Sequence, residues 1–67
     1  MTNAKLKAEW KFLLGQTVGQ PRTLQAVSAF DQLTSRMHGA GIISFDEFMG
    51  AQHAIVAART VARNLSA

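Results

Sequence analysis

RMHGAGIISFDEFMG, residues 36–50, is the stretch that decides how this chain folds. It joins two apolar, helix-patterned segments, and its composition changes at each step. Gly39 and Gly41 break the first pattern, because glycine costs a helix interior about 1 kcal/mol against alanine. Ser44 then stands three residues before Glu47, the spacing of a capping box, in which each side chain binds the other residue's free backbone N–H. Ile43, just ahead of the cap, is placed to pack on Phe48 as a hydrophobic staple. The stretch reads as the end of one helix, a short connection and the start of another.

Downstream, the pattern runs from Phe45 to about Leu65 without a proline. It carries apolar residues in two sets. Phe45, Phe48, Met49, Ile55 and Val56 fall on one side, while Ala54, Ala58, Val61 and Leu65, spaced four, three and four, form a second stripe roughly opposite. A helix apolar on two sides is either central to a larger body or shared with a partner. Three helices have no middle layer, so the second stripe is expected to be an interface. Ala54 and Ala58 are small enough to admit another helix closely, and His53, Arg59 and Arg63 are expected along its rim.

Upstream, Ala26, Phe30, Leu33 and Met37 repeat at four, three and four, widened by Leu24 and Val27. Pro21 suits the first turn of this helix, where its missing N–H costs nothing. Before it, GQTVGQP (residues 15–21) has loop composition. The N-terminal segment puts Leu6, Trp10 and Leu13 on one stripe, with Gly15 as its stop. The expected architecture is all-α: a single-domain three-helix bundle with helices near 3–14, 21–37 and 45–65, the last the longest.

Within the opening stretch, GIISFDEF (residues 41–48) resembles the second half of an EF-hand calcium loop. Ending a twelve-residue loop at Glu47 puts the central glycine at Gly41, an apolar residue at Ile43 and a polar position at Ser44. The first half departs from the pattern: Arg36, His38 and Ala40 stand where the early oxygen ligands belong. One carboxylate beside two basic groups does not hold a hard cation, so no calcium site is expected. His38 and His53 are the only imidazoles. They are fifteen residues apart, one assigned to a loop and one to a helix flank, and no cysteine exists to complete a zinc site.

Composition bounds the rest. The 67 residues are 48% hydrophobic and only 16% charged, against roughly 25% charged in ordinary domains. A chain this short buries only ~60% of the surface it exposes when unfolded. With no cysteine to cross-link it, partner burial is the expected supplement. The N-terminal apolar residues are interrupted by Lys5, Lys7, Glu9 and Lys11, and no run of 18 apolar residues occurs. The expectation is therefore a cytoplasmic protein without a signal peptide or membrane span.

Chemistry is sparse. Asp46 and Glu47 are adjacent and point to different sides of a helix, the serines lack a nucleophile-elbow context, and no glycine-rich phosphate loop precedes a helix. No enzyme activity, cofactor or small-molecule substrate is expected. The net charge is +3, with Lys5, Lys7 and Lys11 on the first helix and Arg59 and Arg63 on the third as candidate phosphate contacts. Two functions follow. The first is a small regulatory, adaptor or inhibitor protein that docks on itself or on another protein through Ala54, Ala58, Val61 and Leu65. The alternative is a basic dimeric accessory protein that holds DNA or RNA through phosphates.

Overall fold

The computed structural model describes residues 2–66, with side chains for residues 2–65. It is a three-helix, all-α fold: α1 (Asn3–Gly19), α2 (Leu24–Gly39) and α3 (Phe45–Ser66). The Lys7 ammonium meets the Glu47 carboxylate at one end of α1 and α3, 3.1 Å apart. At the other end, Thr17 and Ala58 line one depression. α1 and α3 therefore run in the same direction, and α2 runs back antiparallel, packed against both. At about 1.5 Å per residue α3 is about 33 Å long and α1 about 25 Å, so the C-terminal turns of α3 overhang.

α1 begins at Thr2, whose hydroxyl accepts the Lys5 N–H at 3.2 Å. It does not stop at Gly15 but continues to Gly19. In the added turn the buried Thr17 hydroxyl bonds back to the Leu13 carbonyl of the same helix at 2.8 Å, and from outside it Arg22 donates to the Gln16 amide oxygen at 2.9 Å. Tertiary packing commonly outweighs a single glycine's propensity. Pro21 is the real terminator. It forces Gln20 into an extended conformation, φ −139° and ψ 145°, as the residue before a proline prefers. Pro21 thus precedes α2 and is not its first turn. The helix starts instead at Leu24, capped by Thr23, whose hydroxyl accepts the Ala26 N–H at 3.1 Å.

The core is centred on Trp10. Its ring is 1% exposed and stacks on Phe30 with centroids 6.3 Å apart. The indole N–H donates to the Thr34 hydroxyl at 3.0 Å, and that hydroxyl donates onward to the Phe30 carbonyl at 2.8 Å. Val27, Phe30, Thr34 and Met37 are the buried line of α2. The line is thus turned slightly from the expected one, with Ala26 and Leu33 half-buried at its edge.

α2 closes with a Schellman motif. The Ile42 N–H donates to the Met37 carbonyl at 2.9 Å and the Gly41 N–H to the His38 carbonyl at 3.0 Å. Gly41 takes φ +75°, the left-handed conformation this motif demands, which is why glycine is needed there. The capping box forms as expected: the Glu47 N–H donates to the Ser44 hydroxyl at 3.1 Å, and the Ser44 N–H donates to the Glu47 carboxylate at 2.9 Å. His38 lies in the last turn of α2, not in a loop, with its half-buried ring stacked on Phe48 at 4.3 Å.

α3 is rotated relative to the sequence reading. Its core line is Ala51, Ile55, Ala58 and Ala62, with Phe48 packed at its start. Phe45, Met49 and Val56 face outward. The reason is volume. Trp10 and Phe30 already fill the centre, so α3 seats against them with alanines and turns its large residues away.

Replacing Thr34 by valine keeps the shape and removes the acceptor of the Trp10 N–H. A buried donor left unpaired costs about 1–3 kcal/mol. Urea unfolding followed by the fluorescence of Trp10, the sole tryptophan, should show a loss of that size. An unchanged midpoint would mean that the hydrogen bond does not anchor the fold.

Candidate functional site

The residues singled out from sequence separate into three groups. Ala58 is only 8% exposed and belongs to the core, so it is not on a free stripe. Ala54 and Val61 lie beside it on the wall of a furrow between α1 and α3. Val61 is 43% exposed, and Leu65, at 66%, sits on the overhanging end of α3. The second stripe is therefore real in part. It flanks the core line and is not opposite to it, because Ala54 follows Ala51 by three residues, just under one turn, and Ala58 belongs to both lines.

The furrow is an apolar surface that two helices build together. At one end it is lined by Lys11, Leu14 and Gly15 of α1 and Glu47 and Gly50 of α3. At the other it is lined by Gln20, Pro21 and Arg22 with Ala54, Ala57 and Val61, enclosing about 290 Å³. Val18 and Gly19 border both parts and join them. A Cβ built on Gly15, Gly19 or Gly50 would meet nothing within 4 Å. The helix backbones are thus open to close approach from outside.

The charged residues do not converge. Lys7 is paired with Glu47, and Arg59 holds Asp31 of α2 at 2.6 Å, which ties the two helices together. Lys5 borders a different depression, beside Glu9 and Phe12. His53 and Arg63 are exposed on α3 and do not line the furrow. Of the six expected rim residues, Lys11 lines it and Lys7 braces its end through Glu47. Arg22, not singled out from sequence, is its second cation. It reaches the furrow because α1 extends to Gly19, so its role became visible only once the course of that loop was known.

The Ser44 backbone N–H, with Lys7 behind it, holds the Glu47 carboxyl below its ordinary value. Among the described residues no group of three or more His, Cys, Asp or Glu side chains could hold a metal ion. None of the described helices is long and apolar enough to cross a membrane. The chain matches no family model, no curated protein and no solved structure.

Ala57 and Ala58 differ by one position and should differ sharply in effect. Ala58→Glu buries a charge in the core and should lower stability by several kcal/mol. Ala57→Glu adds one on an exposed wall and should change it by no more than about 0.5 kcal/mol. Thermal melts of both variants check this, and equal effects would contradict the observed rotation of α3.

Glu47 gives a pH dependence with a definite sign. A carboxyl whose folded value is lowered stabilises the fold above its ordinary value, and that contribution fades as pH falls through the lowered one. Unfolding midpoints should therefore drop on acidification through the carboxylate range, and Glu47→Gln should flatten this drop. A variant with an undiminished slope would place the acid sensitivity elsewhere.

Proposed function

We propose that the protein is a small, non-enzymatic protein-binding module that docks through the furrow between α1 and α3. The observation that carries this reading is an apolar, glycine- and alanine-walled channel on the side of the α1–α3 pair away from α2. Leu14, Val18, Ala54, Ala57 and Val61 line it, over a floor that the core residues Trp10, Ala51 and Ala58 reach. An exposed apolar channel of this kind on a small chain supports a contact surface. The absence of cysteine fits action in the cytoplasm, as a regulator, adaptor or inhibitor. Phosphate binding is the weaker reading, because Lys7 and Arg59 are occupied by carboxylates and Lys5 and Lys11 border different depressions.

The test begins with the solution mass across micromolar concentrations, at low and at high salt. Gln25, exposed on α2, serves as the control position. Since the chain has no cysteine, Ala57→Cys and Gln25→Cys each carry a single thiol for site-specific cross-linking. If the chain self-associates, the thiol of Ala57→Cys should be protected from labelling, and Ala57→Glu should return the chain to monomer. If it is a monomer, Ala57→Cys and not Gln25→Cys should cross-link to a partner whose binding, rebuilt from purified components, is lost in Ala57→Glu. Association that survives Ala57→Glu would overturn the reading. Steeply salt-dependent binding of a DNA or RNA duplex, indifferent to that substitution, would favour the alternative.

A further inference from the structure

We infer that the furrow receives one α-helix of a different protein, apolar along one face and acidic near both ends. This rests on the docking role proposed above and specifies its occupant. Three observations support it.

The first is shape. α1 and α3 run side by side in the same direction, with α2 packed on one side of the pair and the furrow on the other. The furrow runs from Lys11 and Glu47 to Arg22 and Val61. The span from Glu47 to Val61 corresponds to about 21 Å, or roughly four helical turns. Two parallel helices leave a channel suited to a third rod laid along them, which here would complete a four-helix arrangement.

The second is depth. Gly15 and Gly19 on α1, and Gly50, Ala54 and Ala57 on α3, leave the walls low, and beyond the helix's own adjacent backbone no atom lies within 4 Å of where a glycine Cβ would stand. A helix can therefore approach near the lower end of the ordinary 8–10 Å interaxial range. Val18, 69% exposed between the two halves, is the apolar knob it would cover.

The third is charge, and it decides between a foreign helix and a second copy. Three charged side chains line the furrow: Lys11, Arg22 and Glu47. Glu47 is neutralised by Lys7. Arg22 is bonded to the uncharged Gln16, and Lys11 is in no ion pair among the described residues. The furrow thus offers an uncompensated cation at each end. A two-fold-related copy would set furrow against furrow and bring in two more such cations. A helix with acidic residues three to four turns apart would answer both.

The probe is a pair of sixteen-residue amphipathic peptides carrying an uncharged dye. They share one leucine and alanine face and differ only in having glutamates or lysines near the two ends. Fluorescence anisotropy at low salt should show the glutamate peptide binding roughly tenfold or more tightly than the lysine peptide, with the gap narrowing at high salt. Ala57→Glu should abolish binding of both. The double variant Lys11→Glu/Arg22→Glu, shown to be folded by circular dichroism, should reverse the preference. Equal affinity for the two peptides, or a preference that the double variant leaves unreversed, would overturn the acidic-helix assignment. Failure of both peptides to bind would overturn it too. If Ala57→Cys still cross-links to a protein or a second copy in that case, the docking role stands and only the occupant is wrong. If the thiol at that position captures nothing, both fall together.

Discussion

The hydrogen bond from the Trp10 indole to the Thr34 hydroxyl is the contact on which the rest of this structure depends. A tryptophan 1% exposed and a threonine 0% exposed sit where no water can replace a missing partner, so each constrains the other. The indole needs an acceptor, and Thr34 supplies one only when α2 lies at one height and rotation against α1. The threonine hydroxyl passes its own proton to the Phe30 carbonyl, leaving the chain of donors and acceptors closed. Among the described residues no buried side-chain nitrogen or oxygen is left without a partner. The Trp10–Phe30 stack completes an α1–α2 platform whose bulk then dictates what the third helix can present.

That constraint explains which parts of the fold were legible beforehand. Local chemistry was readable: the Ser44–Glu47 capping box is closed by its own residues and formed as expected. So was the number of helices, because it rests on periodicity. The phase of α3 was not. Counting apolar residues favours a core of Phe45, Phe48, Met49, Ile55 and Val56, since these are the large ones. Of these Ile55 and Phe48 do pack inside, but beside a tryptophan and a phenylalanine the remaining core positions of α3 are alanines, and alanine carries no signal that separates a tight contact from a good helix former on a wet face. The same blindness hid that Ala58, 8% exposed, packs in the core while also lining the floor of the furrow.

The helix ends show the same division. Gly15 and Pro21 are both helix breakers by composition, yet only one of them breaks a helix. Gly15 is overruled by the burial of Thr17 and by Gln16, whose partner Arg22 lies in the following loop. Proline has two positional meanings, the first turn of a helix or the stop after one, and its own residue does not choose between them. Thr23, a capping residue two positions later, was the local clue that α2 begins at Leu24. The EF-hand-like half-match has an equally local origin. Gly41 is there for the left-handed turn of a Schellman motif and Glu47 for a capping box, and together they reproduce the glycine-to-glutamate spacing without any ion.

Why, then, is the α1–α3 seam left open while the α2 side is filled? The α2 side is closed by large residues that interlock, with Trp10, Phe30, Met37 and Ile55 all buried. Along the outer seam the positions that would build such a ridge are Gly15, Gly19, Gly50, Ala54 and Ala57. If this side served only solubility, polar residues would suit these positions better, and a glycine in mid-helix costs about 1 kcal/mol against alanine. Glycine at Gly15 and Gly50 meets no steric need within the chain, since a Cβ there would touch nothing, and neither has a positive φ. The space these residues keep clear lies outside the molecule. Under the docking role proposed above, what gains from the missing side chains is the helix that approaches the two backbones from that side.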